Sequence, residues 1–158
     1  MSDIMEQETT GFTADDILRS AVQVRINSLE AIISDIAEGA EVEQMLGTNG
    51  LPLLRAGFDD KEITFSYLPV GDEATFRFIL LIRSVVKIAE SDDAGYILSC
   101  ESFNIGSPFG FAVYDPVSGA VELRAQIPES GGMSERDQYE HILEMFSYSM
   151  EELSDTLS

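Results

Sequence analysis

The chain predicts an α+β fold, an antiparallel sheet of about five strands with helices packed on one face, in the order α-β-β-β-α-β-β-α. Three observations predict it. Apolar residues at Leu18, Val22, Ile26, Leu29, Ile33 and Ile36 are spaced by 4, 4, 3, 4 and 3, the period of an amphipathic helix. From Ile63 onward the period falls to two: Ile63, Phe65 and Tyr67 alternate with Glu62, Thr64 and Ser66, as in a strand with one face on a core. Beyond Pro108 the pattern is a hairpin followed by a second amphipathic helix, with Tyr139, Ile142, Leu143, Phe146, Met150, Leu153 and Leu157 in its stripe.

Each element has its own signals. Residues 1–12 read as a disordered acidic tail, and residues 13–158 as a single domain. Thr13 followed by Asp16 marks a helix start, and Gly39 ends or bends that helix. Its stripe fits a 3.5-residue coiled-coil seam nearly as well as 3.6, and the expectation is packing against the sheet. Glu41 to Leu46 reads as one more helical turn before the loop Gly47-Thr-Asn-Gly50. Leu53 to Phe58 predicts a first strand, Asp59-Asp60 a turn, and Pro69 to Asp72 a second turn. The third strand places Phe76, Phe78, Leu80 and Ile82 on one face. Its other face carries Thr75, Arg77, Ile79, Leu81 and Arg83.

A helix follows from about Ser91, capped by that serine with Asp92 and Asp93 at its positive end. Tyr96, Cys100 and Phe103 share one side, and Gly106 to Pro108 breaks it. The hairpin runs Phe109–Asp115, turns at Pro116-Val-Ser-Gly119 and returns along Ala120–Ile127. Phe109, Phe111 and Val113 are expected to face one way, together with Val121, Leu123, Ala125 and Ile127. Gly131-Gly132 leads into the last helix, with Ser134 as its cap and Glu140, Glu144, Glu151 and Asp155 in solvent.

Charge restricts the partners. The 158 residues hold 29 acids against 9 Lys and Arg, a net charge of −20. Residues 1–50 carry ten acids and two bases, residues 51–127 eleven and six, and residues 128–158 eight and one. The helical ends hold most of the excess. Neutralising phosphates needs clustered bases, so nucleic acid is not an expected partner. An anionic membrane surface repels such a chain in the same way. Solubility accounts for much of the charge, and steering of a basic partner is compatible with it. Hydrophobic residues make up 44%, enough for a globular core. No apolar run reaches the ~18 residues of a membrane span, and the opening residues lack a basic, apolar leader. The expected location is cytoplasmic.

The helix closing in Ser102-Phe103-Asn104 lies between the strand Phe76–Val86 and the strands Phe109–Tyr114 and Val121–Ile127. With the last helix and its Leu143, Phe146 and Leu153, this arrangement resembles the YbjN-type family, which shares its fold with type III secretion chaperones. The resemblance covers roughly residues 51–157; the first helix is long for the family. It implies a bacterial protein of non-catalytic character. Secretion chaperones of this fold are small acidic homodimers that hold an unfolded segment of a client, and YbjN-type proteins are associated with regulation and stress responses.

The residues offer no catalytic, metal or cofactor set. His141 is the one histidine and Cys100 the one cysteine. Both sit in helix interiors without a context that activates them. Paired acids at Asp15-Asp16, Asp59-Asp60, Asp72-Glu73, Asp92-Asp93 and Glu151-Glu152 fall near helix ends and turns, where acids cap and solubilise. No calcium loop, zinc cluster or phosphate loop is present in the sequence. The distinctive surface is the outward sheet face, Arg77, Ile79, Leu81 and Arg83, joined from the hairpin by Glu122, Arg124 and Gln126. Ile79 and Leu81 are apolar where a strand should be wet. A covered central strand and a partner site explain that equally well. The expectation is a non-enzymatic protein-binding domain, chaperone-like or adaptor-like, homodimeric, engaging a protein partner or client by its sheet face or helix grooves. The alternative is a regulatory protein that sequesters a basic folded partner on its acidic surface. An enzyme using acids alone requires a deep pocket with two convergent carboxylates.

Overall fold

Helix α1 (Ala14–Ile36) starts where the sequence marks it. Thr13 Oγ1 accepts from the Asp16 N–H and Asp16 Oδ2 accepts from the Thr13 N–H, both at 3.2 Å, a reciprocal cap. Val22, Ile26, Leu29 and Ile33 are wholly buried. In the computed structural model, described for residues 13–58, 61–71, 77–88, 93–129 and 135–158, the later elements are strands β1 (Glu41–Leu46), β2 (Pro52–Phe58), β3 (Lys61–Val70) and β4 (Arg77–Ile88), helix α2 (Asp93–Gly106), strands β5 (Phe111–Tyr114) and β6 (Ala120–Pro128), and helix α3 (Glu135–Thr156). The tail, the Asp59-Asp60 turn, Phe76, and the caps Ser91 and Ser134 lie outside the described residues.

The class is α+β, and among the described residues the antiparallel sheet has six strands in the order β1-β2-β3-β4-β6-β5. The additional strand is β1, where a helical turn was expected. It pairs antiparallel with β2 from Glu41 opposite Gly57 to Leu46 opposite Pro52. Val42 packs on the core. Gln44 joins a side-chain triangle with α1: Gln23 Nε2 donates to Gln44 Oε1 and to Asn27 Oδ1 at 2.8 Å, and Gln44 Nε2 donates to Asn27 Oδ1 at 2.9 Å. Ladder pairing and this polar seam override the helix preference of Glu, Gln, Met and Leu.

The sheet presents Leu54, Ala56, Ile63, Phe65, Tyr67, Phe78, Leu80, Ile82, Val121, Leu123 and Ala125 to the helices, all nearly inaccessible. Ile142, Phe146, Met150 and Leu153 of α3 close the core over them. Burying a side chain of this size contributes about 1.5–3 kcal/mol. Polar contacts link the layers at the rim. Tyr67 and Tyr139 share a 2.7 Å hydroxyl hydrogen bond. Burial, with the Tyr139 hydroxyl and the nearby Glu129 and Glu135 charges, pushes the Tyr67 phenol far above its ordinary range. Arg25 pairs with Glu129 while lying 4.0 Å over the Phe78 ring, and Arg136 pairs with Asp35.

The hairpin corrects a second expectation. Phe111 and Val113 do not share the face of Leu123. Register places Phe111 opposite Arg124, Ala112 opposite Leu123 and Val113 opposite Glu122, and Ala112 is the buried residue. Directly opposed residues share a face, so Phe111 and Val113 lie on the side away from the helices. The cause is Gly110, at φ +77°. A Cβ there would sit 3.1 Å from the Arg124 carbonyl oxygen. The left-handed step shifts the strand by one residue, which exchanges its faces. Phe109, before the step, packs against the core.

Candidate protein-binding face

The helix-free side of the sheet holds every residue singled out there. Register assembles one row across all six strands: Glu43, Arg55, Thr64, Arg83, Arg124 and Phe111. The next row carries Met45, Leu53, Ser66, Leu81 and Gln126. A third opposes Leu68 to Ile79, with Pro128 beside Ile79. Arg77 extends the face at the start of β4, opposite Val70. Leu53, Leu68, Ile79 and Leu81 are half-buried, although no described helix lies over them. The sheet face and the Leu46–Pro52 loop enclose a hollow of about 480 Å³ that Leu53, Ser66, Leu68, Leu81 and Arg83 line. A second hollow of about 660 Å³ opens on the other side of Arg83, lined by Thr64, Val85 and Glu122 among others.

Charge is distributed unevenly on this face. Arg55 pairs with Glu43 at 2.7 Å and with Glu62 at 3.7 Å. Arg83 and Arg124 are directly opposed and share one carboxylate. Glu122 Oε1 lies 2.9 Å from Arg124 Nε and 3.9 Å from Arg83 Nε. The longer contact is no hydrogen bond, and Arg83 Nε is buried without a hydrogen-bond partner. The sequence brought out Arg77, Ile79, Leu81, Arg83 and Arg124, and the fold places all five on this face. It did not bring out Leu53, Arg55, Leu68 and Phe111. Their signal was the same alternation: Leu53 and Arg55 occupy the phase opposite to buried Leu54 and Ala56.

Elsewhere the chemistry is spare. Cys100 is buried in α2 against the core, and burial pushes its thiol up, which makes it less nucleophilic. His141 is exposed on α3, beside a hollow of about 220 Å³ between that helix and Pro108-Phe109. Among the described residues no group of three or more His, Cys, Asp or Glu could hold a metal ion, and no helix is long and apolar enough to cross a membrane. No family model matches the chain, and no curated protein matches it in sequence.

Proposed function

We propose that the chain is a non-enzymatic protein-binding domain, chaperone-like or adaptor-like, that engages its partner on the open face of the sheet. The observation that carries this reading is the apolar ground formed by Leu53, Leu68, Ile79 and Leu81, framed by arginines and left without a covering element among the described residues. A central strand with no packing duty on one side normally presents polar side chains there. The resemblance to YbjN-type proteins and secretion chaperones supports the same reading and adds a homodimer. Sedimentation equilibrium measures that dimer independently of partner binding.

The test is the double variant Ile79→Ser, Leu81→Ser. Both side chains are half-buried and point away from the core, so the variant is expected to fold with a wild-type circular dichroism spectrum and to lose partner binding. A folded variant that binds its partner at wild-type strength removes this face from consideration.

The alternative, sequestration of a basic folded partner, draws support from α3. Its solvent side exposes Glu140, Glu144, Glu151 and Asp155, while its one arginine, Arg136, is engaged with Asp35. Binding of that kind weakens steeply between low and moderate salt, whereas binding on the sheet face, where apolar contacts accompany the arginines, weakens less. A titration at two salt concentrations separates the two.

A further inference from the structure

We infer that Arg83 and Arg124 form a carboxylate-binding site, and that the segment docking on the open face is an extended acidic peptide of a partner protein. The inference rests on the reading of that face as a binding surface and names the chemistry of what it takes.

Four observations support it. First, the two arginines are directly opposed on adjacent strands, where like charges destabilise a sheet. In a chain with nine bases and 29 acids, this is an uncommon use of two of them. Second, their one shared acceptor, Glu122, hydrogen-bonds Arg124 and stands too far from Arg83. Two positive charges therefore face one negative charge. Third, Arg83 Nε is buried with no acceptor among the described residues, a state whose cost favours a turn of the guanidinium toward an incoming carboxylate. Fourth, the side chains remain reachable, with 38% of Arg83 and 36% of Arg124 exposed. A guanidinium matches a carboxylate in plane and spacing.

The rows of the face set the spacing of the ligand. Residues i and i+2 of a strand lie about 6.7 Å apart on one side. The Arg83 row is followed at that interval by the Leu81 row and then by the Leu68–Ile79 row. An extended peptide lying along β4 that places Asp or Glu over the arginines sets its residues two and four positions away over Leu81 and over Ile79. The expected motif is an acid, any residue, an apolar residue, any residue, an apolar residue, in either chain direction. The net charge of −20 does not oppose this. Charges farther than about 8 Å are largely screened at physiological ionic strength, and on the open face Arg55, Arg77, Arg83 and Arg124 balance Glu41, Glu43, Glu62 and Glu122.

The experiment is selection of a displayed library of random nine-residue peptides on the immobilised full chain at physiological salt. The best peptide is then synthesised and titrated by calorimetry. The expected winners carry Asp or Glu with Leu, Ile or Val two and four positions away. Arg83→Gln and Arg124→Gln each weaken the winner on the order of tenfold. Changing its acid to the amide causes a similar loss, which Arg83→Gln then barely deepens. Glu122→Gln, which frees the arginines, tightens binding. Basic or uncharged winners, or acidic winners indifferent to both arginine variants, overturn the inference. If such winners are still lost on Leu81→Ser, the face reading stands and only the carboxylate site falls. If no peptide is enriched, or none is lost on Leu81→Ser, both fall. Winners that match residues 1–12, or a dimer that Arg83→Gln dissociates, would make this chain its own occupant and overturn the assignment to a partner protein. Thermal unfolding of each variant confirms that it is folded.

Discussion

Asn104 fastens the outer edge of the sheet, and removing its side chain should be measurable in two ways. Its Nδ2 donates to the Ala112 carbonyl at 3.0 Å, and its Oδ1 accepts from the Ala112 N–H at 2.6 Å. One α2 side chain thus satisfies both groups of the residue at the centre of β5, as a seventh strand would. A net contribution of about 0.5–1.5 kcal/mol per hydrogen bond makes Asn104→Ala cost about 2 kcal/mol. For a domain of this size that lowers Tm by about 4–8 °C. With a urea slope of about 2 kcal/mol/M, the midpoint falls by about 1 M. The second readout is association: the freed groups template pairing with another chain, so the variant should self-associate more strongly with concentration. Asn104→Asp keeps the acceptor, loses the donor and turns a carboxylate oxygen toward the Ala112 carbonyl. Its protonated form regains the donor, so folding raises the pKa of the introduced carboxyl. The deficit is therefore full above that raised pKa and shrinks as pH falls through it. A loss below about 0.5 kcal/mol for Asn104→Ala, within the range of an indifferent surface change, would refute the reasoning.

Gly110→Ala places a Cβ at φ +77° and 3.1 Å from the Arg124 carbonyl oxygen; it should destabilise by about 1–3 kcal/mol in chemical denaturation and broaden the Arg124 amide resonance. In the hairpin turn, the Asp115 carboxylate accepts from the Val117 N–H and the Ser118 hydroxyl, and these hydrogen bonds hold its pKa below the ordinary 3.8. A depressed pKa stabilises the fold above the unfolded value, and that contribution is lost as pH falls through the folded one. Carboxyl NMR should therefore show Asp115 titrating below pH 3.8, and Asp115→Ala should flatten the acid limb of the stability curve.

Much of the architecture was written in periodicity. The stripes of α1 and α3 bury the residues that their spacing selects, because a helix facing a core must repeat near 3.6. Thr13 and Asp16 announced their cap. Strand β1 was illegible because its inward phase is Val42, Gln44, Leu46. Gln44 is polar there for a reason that lies 21 and 17 residues away, in Gln23 and Asn27 of α1. The faces of β5 were misread because Phe109, Phe111 and Val113 alternate in sequence, while Gly110 interrupts the alternation in space. A glycine inside a strand pattern is the local sign of such a step. On the open face, Arg77, Ile79, Leu81 and Arg83 were readable from alternation along β4, and Arg124 from that along β6. Their direct opposition to residues of β6, and the missing acceptor at Arg83 Nε, depend on register between strands whose sequence gives no pairing.

The strand order has a consequence for synthesis. Strands β1 to β4 form a meander of neighbours that can assemble as they leave the ribosome, but β4 receives its second partner, β6, only after α2 and β5 have intervened. Until about 40 more residues have emerged, the longest strand of the sheet is an edge, with Phe78, Leu80 and Ile82 on one face and Ile79 and Leu81 on the other. Such an edge is vulnerable to capture by other nascent chains. The turn at Asp115, which lets β6 follow β5 back with little search, shortens that interval. Slowing translation just before this turn should lower the yield of soluble protein, whereas slowing it after β6 should not.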